Sequence, residues 1–310
     1  MEPITRRSFI TLSLRLAAMM GLGSSAVPAM ADALERIVRG RAPALWLQGQ
    51  CCSGCSVSLL DSEPLGADQL LTRQIALAFH QTLSGATGHQ AVETVDRAIA
   101  AGGFILVVEG SVPASMPRAC FFGEENFGSQ LLRAARAAKA VVAVGTCATS
   151  GGIPAAEGNP TGATSVPAFL TRSGVATPCI SIPGCPAHPD WIVGTLVHVL
   201  QFGLPQLDKA GRPAAFFGKL VHDQCPRFAD YERENFAKNF GDDGCLFHLG
   251  CAGPLTRADC NLRQWNGGTN TCIRAGAPCI GCAWEGFAAK RDFPFYLKND
   301  HTRPAEGDRT

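Results

Sequence analysis

The chain has 310 residues, 46% of them hydrophobic and 17% charged, with a formal net charge of +1. That is an ordinary globular balance with material for a sizeable core, and two domains are the expectation for this length. The near-neutral charge gives no electrostatic footprint for nucleic acid, and there is no internal repeat or low-complexity run.

The first 31 residues read as a targeting segment. Thr5-Arg6-Arg7-Ser8-Phe9-Ile10 sets twin arginines before a moderately apolar run from Leu12 to Val27, and Ala29-Met30-Ala31 offers a small-x-small cleavage site before Asp32. Arg15, Gly21 and Gly23 interrupt that run, and no later stretch reaches the ~18–20 apolar residues of a membrane-crossing helix. The mature chain is expected to be soluble and exported folded, by the twin-arginine route, to the periplasm. An exported cysteine-rich chain ordinarily means disulfides. A chain folded around its cofactor before export can instead keep its thiolates as ligands.

From residue 32 to about 204 the pattern alternates between strand and helix. Ala44–Gly49 is a short apolar strand. Leu71, Ile75, Phe79 and Leu83 recur every four residues, as one face of a helix does. Phe104–Gly110 and Val141–Gly145 are near-continuous apolar strands of the kind buried in parallel sheets. Ser129 is placed to cap a helix from Gln130 to Ala140. Ile180–Gly184 is a further strand, and Trp191–Phe202 is helical with Pro189 near its start. This order predicts a doubly wound α/β sheet, whose ligands gather outside the carboxyl ends of the strands. From about Leu204 periodicity fades while Cys, Gly, Pro and Asn rise. Such a segment, 205–303, needs staples, and 304–310 is a polar tail.

Fourteen cysteines carry the chemistry, seven of them between Cys225 and Cys282. Cys52-x-x-Cys55, Cys147 and Cys185 follow predicted strands beside Gly or Pro, so residues distant in sequence converge on one edge. Four thiolates commonly hold a 4Fe–4S cluster; the C-x-x-C alone is also the pattern of a redox dithiol or a zinc half-site. A second set is His222-x-x-Cys225 with Cys245 and Cys251, His248 being the competing imidazole. The third is Cys260, Cys272 and Cys279-Ile280-Gly281-Cys282. Either set suits zinc or an iron–sulfur cluster, and three such sites together favour electron transfer. Cys120 and Cys179 read as small buried hydrophobes. Cys51 abuts the first set as a spare ligand, a redox participant or an inert neighbour. There is no dinucleotide fingerprint or P-loop. The Gly-rich stretch Ser150–Thr164 reads as an interface or active-site loop, Asp61 and Glu63 as a solvated acidic pair, and Glu109 as a capped strand end or a proton-relay carboxylate.

Trp46-Leu47-Gln48-Gly49-Gln50-Cys51-Cys52-Ser53-Gly54-Cys55-Ser56, Val108-Glu109-Gly110, Gly145-Thr146-Cys147-Ala148 and Pro183-Gly184-Cys185-Pro186 resemble the small, electron-transferring subunit of periplasmic nickel–iron hydrogenases. So do His222-Asp223-Gln224-Cys225-Pro226, Leu249-Gly250-Cys251-Ala252-Gly253-Pro254 and Pro278-Cys279-Ile280-Gly281-Cys282, in order along nearly the whole mature chain. The resemblance implies a flavodoxin-like domain followed by an irregular cysteine-rich iron–sulfur domain. By position, Cys52, Cys55, Cys147 and Cys185 look like ligands of a proximal 4Fe–4S cluster. His222, Cys225, Cys245 and Cys251 look like ligands of a distal one, and Cys260, Cys279 and Cys282 of a medial one.

The chain departs from many members at two places. Cys272 stands where a proline commonly leaves a 3Fe–4S medial cluster, so a medial 4Fe–4S cluster is expected, as in the nickel–iron–selenium branch. Cys51 stands where many members carry Glu or Gly. A tandem Cys-Cys also occurs in the related cluster-binding subunit of respiratory complex I. Oxygen-tolerant members add proximal cysteines near the positions held here by Gly54 and Gly152, so oxygen tolerance is not implied. The family implies H2 ⇌ 2H+ + 2e−, a nickel–iron site in a separate large subunit and a cytochrome c-type or similar carrier; unlike members that dock on a membrane cytochrome b, this chain is expected to have no membrane span after signal removal. A complex I-like subunit and an exported zinc- or disulfide-stapled binding protein are the alternatives.

Overall fold

The computed structural model describes residues 42–62 and 75–288, with Leu14 and Ala18. The rest of the targeting segment, Glu63, Leu71 and the polar tail lie outside the described residues.

Five strands form one parallel sheet: β1 (Ala42–Gln48), β2 (Ile75–His80), β3 (Ile105–Glu109), β4 (Ala140–Val144) and β5 (Cys179–Ile182), in the order β2-β1-β3-β4-β5. This is the order of flavodoxin-like sheets, whose switch point lies between β1 and β3. The helices are α1 (Gly54–Leu60), α2 (Gly88–Ala101), α3 (Phe127–Ala137), α4 (Gly145–Ser150), α5 (Val166–Arg172) and α6 (Pro189–Phe202).

Alternate strand residues face opposite layers, so each strand feeds two cores. Leu45, Leu47, Leu106, Val108, Val141 and Ala143 pack against α2, α3 and α5. Ala44, Trp46, Ile105, Val107, Val142, Ile180 and Ile182 pack against α1 and α6. The second core also takes in Phe216, Phe217, Val221, Leu246, Ile273 and Cys279, so the cysteine-rich region shares its apolar interior with the sheet. Each fully buried Leu, Ile, Val or Phe contributes about 1.5–3 kcal/mol.

Two local expectations are corrected. The segment predicted as a helix on Leu71, Ile75, Phe79 and Leu83 is strand β2 over Ile75–His80, followed by a turn at Leu83. A spacing of four is also twice the strand period, so Ile75 and Phe79 fit a strand as well as a helix. The helix predicted from Gln130 begins at Phe127, because the cap is Asn126 rather than Ser129. The Asn126 side chain accepts the Ser129 N–H at 3.0 Å.

Among the described residues after Gly203 the helices are all short, Ala214–Phe217, Phe228–Glu232 and Cys260–Arg263 among them. The last is moored to the start of α6. Arg263 pairs with Asp259 at 2.6 Å and Asp190 at 3.1 Å, and Trp191 donates to Asp259 at 2.7 Å.

Candidate iron–sulfur sites

All five strands end at one edge, and each delivers part of the site. β1 runs into Cys51, Cys52 and Cys55, β2 ends in His80, β3 ends in Glu109, β4 leads to Cys147, and β5 leads to Cys185. Cys55 faces Cys147 and Cys185, while Cys185 faces Cys147 and Cys52. Gly145 and Gly152, both at positive φ, make room. A Cβ on Gly145 would stand 2.5 Å from Cys55 Sγ, and one on Gly152 would stand 2.8 Å from Cys147 Sγ. The Gly-rich loop thus closes over Cys147, and Ala187 N–H points at Cys55 Sγ at 3.5 Å.

Glu109 ends β3 and faces the first turn of α1. It is 2% exposed, and one oxygen accepts Cys55 N–H at 2.9 Å and Ser56 N–H at 3.3 Å. These are orphan amides of the first turn of α1, which the side chain of the cap residue Ser53 does not reach; its hydroxyl accepts from Gln48 Nε2 at 3.4 Å instead. The other oxygen accepts from Gln48 Nε2 at 3.0 Å, Trp46 Nε1 at 3.3 Å and Ser56 Oγ at 2.5 Å. Ser56 Oγ also meets His80 Nε2 at 3.2 Å. Because Thr82 N–H donates to His80 Nδ1 at 3.1 Å, the neutral ring carries its proton on Nε2, toward Ser56. Burial, opposed by the charge of Glu109, brings the His80 pKa down to about 4.

The second set also assembles. His222, Cys225, Cys245 and Cys251 line one pocket with Arg227 and Gly253. Main-chain amides of Arg227 and Gly253 point at the sulfurs of Cys225 and Cys251, each at 3.4 Å. His248 packs on Phe236, ring centroids 4.0 Å apart, and is not among the residues that line this pocket. The third set, Cys260, Cys272, Cys279 and Cys282, lines a cavity of about 440 Å³ that also meets Cys185. That volume lies in the range of cofactor pockets. The third set adjoins both others: Cys185 lines the same cavity, and the Cys279 carbonyl accepts the N–H of Ala252, next to Cys251, at 2.7 Å.

Burial pushes the thiols up, Cys55 and Cys279 well above their ordinary value and Cys147, Cys185, Cys245 and Cys282 to about 11. Burial dominates each shift; Glu109 and neighbouring thiolates add to it at the first set. Thiolates crowded in an apolar setting are stabilised by bound cations that replace their protons, a role iron would fill here. All fourteen cysteines are free, so no disulfide staples the described residues. Among those residues no three His, Cys, Asp or Glu side chains are placed to hold a single ion, so the sets are open rather than tight. Cys120 and Cys179 lie apart, packed against the α2–α3 core.

Residues 217–296 match the family model for the C-terminal region of NiFe/NiFeSe hydrogenase small subunits, and residues 52–199 match that of the NADH ubiquinone oxidoreductase 20 kDa subunit. The chain is 41% identical to the periplasmic NiFeSe hydrogenase small subunit of Desulfomicrobium baculatum, over 95% of this chain and 99% of that one. The chain belongs to the nickel–iron/nickel–iron–selenium hydrogenase small subunits. A reduced, active form of the Desulfomicrobium baculatum enzyme superposes with a TM-score of 0.80 over 84% of this chain and 100% of that one, at 41% identity. The hydrogenase-2 small chain of Escherichia coli K12 is 38% identical over 91% of this chain and 77% of its own.

As a hydrogenase small subunit, the chain is the electron-transferring partner of a large subunit in an iron–sulfur oxidoreductase. The complex I-like and stapled-binder readings are not supported: the hydrogenase small subunits match from the sheet through the cysteine-rich region. No helix among the described residues is long and apolar enough to cross a membrane. Two functional features escape a reading of the sequence: the helix-capping role of Glu109, and Thr146, which bonds to the Cys282 carbonyl. Nothing in a Gly-Thr-Cys string marks that threonine.

Proposed function

We propose that the chain holds three iron–sulfur clusters in a row. Cys52, Cys55, Cys147 and Cys185 hold the proximal cluster, Cys260, Cys272, Cys279 and Cys282 the medial one, and His222, Cys225, Cys245 and Cys251 the distal one. All three are 4Fe–4S, because Cys272 supplies the fourth medial thiolate. In this reading residues 1–31 are a twin-arginine signal, 32–204 the flavodoxin-like domain, 205–303 the medial and distal cluster domain and 304–310 a tail. The enzyme works in the periplasm and exchanges electrons with a cytochrome c-type or similar carrier.

The observation that carries this is the placement of the medial set. Cys185 of the proximal set lines the same cavity as the medial thiols, and the Cys279 carbonyl accepts the N–H of Ala252, next to distal Cys251, at 2.7 Å, which sets the medial thiols between the other two sets. Bound clusters supply one-electron chemistry at thiolate-held iron. The protein contributes the spacing, the amides aimed at sulfur, and the apolar surroundings that exclude water. Exposed Cys52 sits on the same turn and helix as exposed Val57 and Leu60, an apolar face suited to a large subunit.

Iron and sulfide analysis of the purified complex tests the count. About twelve irons per small subunit are expected, after those of the large subunit are subtracted, and fewer than about eight overturns the three-cluster reading. A strong 3Fe–4S paramagnetic signal that persists under anaerobic handling overturns Cys272 as a ligand. Replacing both Arg6 and Arg7 by Lys should strand the folded enzyme in the cytoplasm.

A further inference from the structure

The medial C-x-x-C segment is joined to each neighbour through its own main-chain carbonyls. On the distal side, Ala252 N–H, next to Cys251, donates to the Cys279 carbonyl at 2.7 Å. On the proximal side, Thr146 Oγ1, next to Cys147, donates to the Cys282 carbonyl. The first join is backbone to backbone and survives a change of side chain. The second hangs on one hydroxyl.

Thr146 is 1% exposed, at the start of α4. Its hydroxyl accepts Gly184 N–H at 2.8 Å, and its own N–H donates to the Gly184 carbonyl at 2.8 Å. A hydroxyl has one proton to give and lone pairs to receive, and both functions are engaged here. One side chain therefore ties the turn bearing Cys147, the turn bearing Cys185 and the segment bearing Cys282.

We propose that Thr146 is a positioning residue for electron passage between the proximal and medial ligand sets, an inference that rests on the ligand sets assigned above. During H2 oxidation one electron at a time, drawn from H2 → 2H+ + 2e− in the large subunit, crosses from the Cys185 side to the Cys282 side. No bond forms or breaks between the sets and no proton crosses. Tunnelling weakens steeply with separation, so a hydroxyl that fixes the contact also fixes the rate.

The test compares Thr146→Val and Thr146→Ser in the purified two-subunit enzyme. Iron content and the number of reducible clusters come first. If the native enzyme lacks iron for the proximal or the medial set, the ligand assignment fails and the inference falls with it. With that passed, Thr146→Val should keep full iron. It should weaken the spin–spin interaction between the reduced proximal and medial clusters and slow medial reduction in freeze-quench mixing with H2 on the order of tenfold. Thr146→Ser, which keeps the hydroxyl, should restore both. Unchanged spin interaction and rate in Thr146→Val overturn the inference and leave the ligand sets standing. Loss of iron in Thr146→Val also overturns it, because the threonine is then only a support for the Cys147 turn.

Discussion

The sheet edge and the cysteine-rich region gather their thiols by opposite means. At the edge, cysteines between positions 52 and 185 meet because parallel strands all end on one side. The strands would be buried and paired without them. Beyond Gly203 there is little regular structure, and the medial and distal thiols stand where a domain of that size would otherwise place its own core. The apolar side chains there, such as Phe217 and Ile273, lean on the sheet's core instead. If these thiols hold the proposed clusters, binding is added to a finished fold in one region and is part of folding in the other.

The largest effect that separates the two regions is expected at Cys279. It is buried and faces Cys251, Cys282 and Cys260. Cys279→Ser should lose about four irons. It should also expose 217–288 to protease, with the sheet segments staying resistant. Cys147→Ser should lose a similar amount of iron while the protease pattern after Gly203 stays native. Equal damage to both regions in the two variants would erase the contrast.

Next comes the polar cluster that lets the sheet edge stand without metal. Glu109→Ala removes the acceptor for Cys55 N–H, Ser56 N–H, Gln48 Nε2 and Trp46 Nε1. Buried donors left unpaired make this cost about 3–5 kcal/mol in denaturant unfolding. A loss below about 1 kcal/mol would mean that water replaces the carboxylate and that the edge is not built around it.

How far each region can be read from the sequence follows the same division. Continuous apolar runs mark β1, β3, β4 and β5, because strands buried on both faces need little alternation. β2 is easily mistaken for a helix, since Ile75 and Phe79 fit both periods equally well. The thiol groupings of both regions are readable from spacing, because a ligand has to be a Cys or a His whatever fold surrounds it. Glu109 and Thr146 are not, since their roles come from partners 54 and 136 residues away. Spacing along the chain carries no record of those.

A smaller effect follows from His80. Burial holds its folded pKa at about 4, below the ordinary 6.5. Between those values the unfolded chain binds a proton that the folded chain refuses. Stability should therefore be full above pH 6.5 and fall as the pH drops toward 4, by at most about 3 kcal/mol. His80→Gln should flatten that part of the stability–pH curve. A slope that persists in the variant would assign it to other groups.

The smallest effect is expected at Cys51, the thiol that most tests whether the edge is selective. Cys51 is half-buried and stands near Cys52, Cys147 and Glu109, with its thiol pushed up to about 11, mainly by burial. Cys52 stands near both Cys147 and Cys185, and Cys51 near Cys147. Cys51→Ser should leave iron content unchanged and shift stability by no more than about 0.5 kcal/mol, while Cys52→Ser should lose the proximal irons. If Cys52→Ser keeps them and only the Cys51/Cys52 double replacement loses them, the turn after β1 can present either sulfur. The edge would then hold its cluster through five thiols rather than four, and topology would fix where the ligands gather without fixing which of two neighbours binds.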